Sequence, residues 1–232
     1  MIKIENLSVS YGANRVYEGF DLDIEDGEIT CILGESGCGK TTLLNAIAGL
    51  LPHGGVITPV KCSYVFQSAR LMPYVTALKN LTAVGAGEQE ANEMLKKVGL
   101  ADRGGAYAST LSGGEAQRVA LCRAFLFKSQ ALLMDEPFSS LDIKTKLSVM
   151  KIFADMQRAE GRTAVFVTHD VDEALYLADR IIVLSGGKLI KDFRNSERGE
   201  FGANSPLRKD VINALLDGGA PPKSLRRSYP DN

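Results

Sequence analysis

The stretch from Ile29 to Leu44 constrains this chain more than any other. An apolar run, Ile-Thr-Cys-Ile-Leu, leads into Gly34-Glu-Ser-Gly-Cys-Gly-Lys-Thr-Thr42 and then two leucines. Glycines at 34, 37 and 39 let the backbone turn tightly and aim several N–H groups inward at an anion. A helix beginning near Lys40 adds its N-terminal amides and dipole to the same point. The spacing, glycine, four residues, then Gly-Lys-Thr, lets Lys40 reach outer phosphates and places the Thr41 hydroxyl to hold Mg²⁺. A glycine turn joining a strand to a helix is common. Strand before, helix after and Lys-Thr in place make this one a nucleoside triphosphate site within an α/β fold, without saying which triphosphatase.

The bulk properties narrow the class. A chain of 232 residues suits one core with at most a small subdomain. With 27 basic and 28 acidic residues and a net charge of -1, no global field favours nucleic acid, and no nucleic-acid partner is expected. The four cysteines, at 31, 38, 62 and 122, show no zinc or disulfide spacing and suit the reducing cytosol. No apolar run approaches the ~20 residues needed to cross a bilayer. The start, Met1-Ile-Lys-Ile-Glu, lacks signal-peptide architecture, so any membrane work needs a partner.

Along the chain, Ile2, Ile4, Leu7 and Val9 alternate with polar residues as a half-buried strand ending at Tyr11-Gly12. Phe20, Leu22 and Ile24 alternate again, and the Asp26-Gly27 turn signal suggests an antiparallel hairpin leading into the strand before the cradle. Tyr11 is an aromatic at a strand end, as compatible with a capping ring as with a nucleotide contact. Leu51-Pro-His-Gly-Gly breaks the chain, and Lys61 to Phe66 reads as a short strand ending in Gln67, whose amide is by itself unremarkable. From Leu71 to Leu100 the pattern turns helical, with Ala77, Leu78 and Leu81 on one face and Ala91, Met94, Leu95 and Val98 on a second helix.

Leu111-Ser-Gly-Gly-Glu115 precedes a long helix from Ala116 to about Phe127. Ser112 and Glu115 make a capping box. The two glycines are surplus to a cap, and they expose amides and a hydroxyl to an approaching anion. Ala131-Leu-Leu-Met is an apolar strand ending in Asp135-Glu136-Pro137. Successive strand residues face opposite ways, so one carboxylate can serve Mg²⁺ and the other a water. Ser139-Ser-Leu-Asp142 opens another helix, with Asp142 at least a cap. Thr163 to Thr168 is a β-branched strand ending in His169-Asp170, before a helix from Asp172 to Ala178. Strands and helices alternating in this way form a parallel sheet, and ligands bind at the carboxyl ends of its strands, where Glu136, His169 and the cradle lie. Ile181 to Leu184, Gly186-Gly187 and Lys188 to Ile190 read as a hairpin. Beyond Arg194 only Val211 to Leu216 is clearly helical, and the tail through Pro221-Pro222 looks peripheral and partly flexible.

This constellation resembles the ATP-binding cassette (ABC) ATPases over Met1 to about Lys191. Gly34 to Thr41 resembles Walker A, Leu111 to Glu115 the Leu-Ser-Gly-Gly signature, and Leu132 to Glu136 Walker B. Tyr11, Gln67, Asp142 and His169 follow in the expected order. The resemblance implies that Tyr11 stacks on adenine and that Gly34, Glu35, Ser36, Gly37, Cys38, Gly39, Lys40, Thr41 and Thr42 bind ATP phosphates. It implies that Thr41, Gln67 and Asp135 serve Mg²⁺, that Glu136 polarises the attacking water, and that His169 contacts the γ-phosphate. Ser112, Gly113 and Gly114 would cover the phosphates of a partner chain in a head-to-tail homodimer formed on ATP binding. Glu115 and Ala116 stand where Gln and a polar or charged residue are frequent.

The implied fold is a P-loop NTPase with a RecA-like parallel sheet, an antiparallel β-subdomain and a helical subdomain near residues 70–128. The ATPase domain would span 1–194, with 195–232 a C-terminal extension. Phe66 to Ala77 and Thr168 to Ala174 look most like the nitrate, sulfonate and taurine importers. That likeness implies an integral-membrane permease docking near Gln67 to Tyr74, an external solute-binding protein acting indirectly, and a peripheral position on the cytoplasmic face of the cell membrane. A soluble cassette of the cluster-assembly type and an exporter ATPase are the alternatives. A scaffold that had lost catalysis should lack Lys40, Glu136 or His169, and all three are present.

Overall fold

Alternation of apolar and charged residues folds the N-terminal segment into a hairpin. Strands β1 (Ile2–Tyr11) and β2 (Asn14–Ile24) pair antiparallel, from Ile2 opposite Ile24 to Tyr11 opposite Asn14. The turn is therefore at Gly12-Ala13. Asp26-Gly27 instead leads from β2 to β3 (Ile29–Gly34), which joins a different sheet. The alternation slips between Ile4 and Leu7 because Asn6 adopts φ 53°, a bulge that returns Leu7 and Val9 to the buried face. Helix α1 (Lys40–Ile47) follows the glycine loop. The segment expected to be only a chain break contains a strand, β4 (Gly54–Ile57), antiparallel to β1. Gly55 is needed there: a Cβ on it would stand 2.3 Å from the Asn6 carbonyl oxygen at the bulge.

The computed structural model describes residues 1–196, 198–199 and 205–218. These form two units, residues 1–60 with the described residues from Thr163 onward, and residues 61–162. In the second unit, β5 (Cys62–Val65) and β6 (Ala131–Asp135) pair in parallel. The long helical tract expected from Leu71 resolves into α2 (Ala77–Thr82) and α3 (Glu88–Lys97), with Leu71 to Thr76 outside any helix. Helix α4 (Gly113–Leu126) starts three residues earlier than the apolar pattern suggests, because its cap is Ser112. Helix α5 (Ile143–Glu160) is capped by Asp142, whose side chain accepts from the Thr145 amide, and ends at Gly161 in the left-handed conformation.

In the first unit, β7 (Thr163–Thr168) precedes α6 (Val171–Leu177), and β8 (Arg180–Ser185) and β9 (Lys188–Arg194) form the expected hairpin. β3 lies between β7 and β8, parallel to both. Every residue of β3 and β7 is buried, which is why these strands read as continuous apolar or β-branched runs and not as alternations. Beyond Arg194, α7 (Pro206–Asp217) buries Val211, Ala214 and Leu215. The expected peripheral tail through Pro221-Pro222 lies outside the described residues. Among the described residues no helix is long and apolar enough to cross a membrane.

Candidate functional site

The glycine loop has the backbone its sequence demands. Gly37 and Gly39 take φ 87° and 111°, and nothing within 4 Å would meet a Cβ at Gly37, so its backbone faces open space. A Cβ at Gly34 would stand 2.4 Å from the Leu184 carbonyl oxygen and 2.6 Å from Cys38 Sγ. Lys40 is buried, and its Nζ donates to the carbonyls of Gly34 and Glu35, each at 2.7 Å. The ammonium is thus folded across the mouth of the loop. Cys38 is packed beneath it, and burial pushes its thiol up, away from thiolate, against the opposing pull of Lys40. Ser36 and Gly37 are exposed, as is Thr41, while Glu35 and Thr42 are half-buried.

Two supports of the loop escaped the sequence reading. Tyr17, on β2, is buried and donates its hydroxyl to the Gly39 carbonyl at 3.0 Å. A Cβ on Gly39 would lie 2.8 Å from that hydroxyl oxygen. Desolvation, with Cys38 second, raises the Tyr17 pKa far above the ordinary phenol value, so it remains a donor. The second support is the β8–β9 turn, where the Gly187 amide donates to the Cys38 carbonyl at 3.1 Å. A Cβ at Gly187 would stand 1.9 Å from the Val16 carbonyl oxygen. The glycine pair was legible as a turn, but its hold on the loop was not.

In the same unit, Leu33 is level with Thr168 and Gly34 with Leu184 across the parallel pairs, so His169 follows β7 at the edge where the loop follows β3. His169 is exposed. Its flanks are fixed: the Thr168 hydroxyl donates to buried Glu173 at 2.7 Å and accepts from the Asp170 amide at 3.1 Å. Asp170 caps α6 by accepting from the amides of Asp172 and Glu173. Tyr11 ends β1 and is 54% exposed.

The remaining expected residues belong to the second unit. Asp135 ends β6 and is buried. The phenol of Tyr64 has its pKa raised well above the ordinary value, by burial first and by the Asp135 carboxylate second. Glu136 is half-buried and sits at φ 48°, a left-handed conformation uncommon outside glycine. Glu136 thus lies past the end of β6, where the backbone turns sharply and strand alternation no longer governs its direction. Ser139 holds the turn by donating its amide and hydroxyl to the Glu136 carbonyl, at 3.3 and 2.9 Å. Gln67 is exposed after β5, and Gln117 of α4, itself buried, donates to the preceding Phe66 carbonyl at 3.3 Å.

The capping box at α4 is complete. Ser112 Oγ accepts from the Glu115 amide at 3.3 Å, and Glu115 accepts from the Ser112 amide at 2.8 Å. As an acceptor in the cap, the Ser112 hydroxyl keeps its own proton for an outside acceptor. Gly114 lies 3.4 Å, as a built Cβ, from Leu141, while Gly113 faces open space. The loop and signature geometry agree with a match of residues 17–139 to the ABC transporter family model. The chain belongs to the ABC transporter family.

Relatives of this ABC cassette agree along nearly its whole length. It is 40% identical to the aliphatic sulfonates import ATP-binding protein SsuB 1 of Pseudomonas syringae pv. tomato, over 100% of this chain and 89% of that protein. It is 42% identical to the aliphatic sulfonates import ATP-binding protein SsuB of Delftia acidovorans, over 92% and 93% of the two chains. Its fold matches the dimeric structure of a bacterial ABC transporter cassette, MJ0796, with TM-score 0.78, 30% identity, 86% of this chain and 100% of that one. A post-hydrolysis structure of that ATP-binding cassette with ADP and Pi matches with TM-score 0.76 at the same identity and coverage. The cassette is thus a P-loop ATPase, and it binds ATP.

Proposed function

We propose that this ABC cassette is the ATP-hydrolysing subunit that drives import of aliphatic sulfonates through a separate permease. The observation that carries the reading is identity of 40–42% with sulfonate import ATPases along nearly the full chain, and it is supported by a glycine loop with Lys40 folded against its own carbonyls. The cassette acts as a peripheral protein on the cytoplasmic face of the membrane, and an external solute-binding protein delivers the substrate.

In this reading Tyr11, exposed at the end of β1, stacks on adenine, and residues 34–42 wrap the phosphates with their amides. ATP draws the Lys40 ammonium from the carbonyls of Gly34 and Glu35 to the β- and γ-phosphates, exchanging neutral acceptors for charged ones. Glu136 orients and deprotonates the attacking water. His169, held by the Thr168 and Asp170 hydrogen bonds, contacts the γ-phosphate. Thr41, Gln67 and buried Asp135 are the oxygen donors suited to Mg²⁺, which when bound neutralises phosphate charge. Two copies pair head to tail on ATP, with Ser112, Gly113 and Gly114 of each covering the phosphates of the other.

Gln67 to Tyr74 forms the docking surface for the permease. Met72 is 42% and Tyr74 87% exposed, an apolar cluster left for a partner. A strain deleted for this cassette, offered an alkanesulfonate as sole sulfur source, tests the function. Wild-type chain should restore growth and sulfonate uptake, and Lys40→Ala should not. Growth and uptake undiminished after deletion of this cassette would remove sulfonate from the proposal.

A further inference from the structure

Helix α7 packs against α6, β8 and β9 of its own unit through Val211, Ala214 and Leu215. Its polar contacts fall at its two ends, and each end meets chain that adjoins the phosphate site. In its first turn the Ser205 hydroxyl accepts from the Arg208 amide at 3.1 Å, which fixes the backbone of Arg208. The Arg208 guanidinium pairs with the Asp172 carboxylate in the first turn of α6. The Asp172 amide donates to Asp170 at 2.9 Å, and the Asp170 amide to the Thr168 hydroxyl at 3.1 Å. His169 therefore sits within a short run of hydrogen bonds whose outer member Arg208 holds. The chain leading to α7 is fastened to α6 as well: Asn195 donates to the carbonyls of Leu175 and Ala178, both at 2.8 Å, and the Gly199 amide to that of Tyr176 at 3.0 Å.

At the other end of α7 the Gly218 carbonyl accepts from the Ser185 hydroxyl. The approach is close, because a Cβ on Gly218 would stand 2.9 Å from Ser185 Cβ. Ser185 closes β8 and opens the turn whose Gly187 amide holds the Cys38 carbonyl of the phosphate loop at 3.1 Å. Strands β7 and β8 flank β3, the strand that leads into that loop. So α7 reaches from the chain just beyond one neighbour of β3 to the last residue of the other. The helix between Arg208 and Gly218 is about 15 Å long at ~1.5 Å per residue, a stiff rod pinned at both ends.

We propose that α7 is a strut that sets His169 relative to the phosphate loop, with Arg208 as a positioning residue for ATP hydrolysis, an inference that rests on reading His169 as the γ-phosphate contact. The apolar face of α7 keeps the helix on its neighbours, but apolar contact is non-directional and leaves the exact placement to the polar ends. The Arg208–Asp172 pair is partly exposed, with side chains 22% and 58% accessible, so it adds little to stability. Its effect is on geometry. A group that must meet the transferred phosphate loses rate steeply when it is misplaced. Release of either end frees the strut, since a rod pinned at one end no longer fixes a distance.

The test is steady-state turnover of Mg²⁺-ATP by the purified full chain, with ADP titrations and urea unfolding alongside. Arg208→Gln should lower kcat about tenfold and leave ADP affinity within about twofold, because ADP has no γ-phosphate for His169 to meet. Its urea midpoint should match wild type, and Arg208→Lys, which keeps the charge, should recover most of the turnover. Ser185→Ala should lower kcat to a similar degree, and the two changes together should lower it no further. His169→Ala serves as the reference for a lost γ-phosphate contact. If His169→Ala loses turnover while Arg208→Gln keeps it, or if Arg208→Gln loses ADP affinity in step with kcat, the strut is overturned and the reading of His169 stands. Wild-type turnover by His169→Ala would overturn that reading and the strut with it.

Discussion

Single side chains divide here into those that meet ATP and those that hold what meets it. Tyr17 is of the second kind: its buried hydroxyl is a second donor to the Gly39 carbonyl, beside the Leu43 amide at 2.9 Å, so losing it removes one of that carbonyl's two bonds. Tyr17→Phe should cost about 0.5–1.5 kcal/mol of stability. It should also weaken ATP binding, although Tyr17 belongs to no nucleotide motif. Urea unfolding and an ATP titration check both parts, and unchanged affinity would show that the loop holds its shape alone. Glu136 is proposed to be of the first kind. Glu136→Gln keeps the side-chain volume, so binding should persist while turnover falls ~10²-fold or more and an ATP-bound dimer accumulates. Turnover at the wild-type rate would move the base elsewhere.

Among the elements, α4 has the most to lose at its first turn. Its capping box is a local device, worth about 1 kcal/mol on removal of Ser112 by alanine. Its acid is unusual in being ionised more readily than an ordinary carboxylate. The Ser112 amide first, then the Ser112 side chain and Arg103, hold Glu115 below the usual value of 4.5. Because the folded pKa is depressed, the stabilisation is complete above 4.5 and is lost as pH falls through the lower folded value. Thermal melts at neutral pH and in acid should therefore converge for wild type and Glu115→Gln as pH falls. A gap between the two that stays constant across that range would exclude a charged cap.

For the whole molecule, the proposed head-to-tail pair makes each ATP site from two chains. Ser112→Arg puts a long side chain at a helix start meant to approach phosphate, while the cradle of the same chain is untouched. Mixed dimers with Ser112→Arg on one chain and Lys40→Ala on the other concentrate both defects in one composite site and should retain one intact site. Dimers with both changes on one chain, paired with wild type, carry one defect in each site and should retain none. Equal ATP binding by the two mixtures would refute head-to-tail assembly.

Features built from neighbouring residues were legible in the sequence. The Gly34 to Thr41 loop, the Ser112–Glu115 cap and the Gly186-Gly187 turn each depend on backbone conformations that nearby residue types select. Strand β4 was missed because Gly54-Gly55 reads as a breaker, whereas glycine at 55 is needed for its φ of 82° and for the close approach of the Glu5 and Asn6 carbonyls on another strand. Tertiary structure alone decided that Tyr17 supports Gly39, 22 residues away, that Gln117 reaches Phe66, 51 residues away, and that Gly187 holds Cys38. In each case the acceptor is a main-chain carbonyl, which every residue carries, so no residue type in the sequence marks the partner.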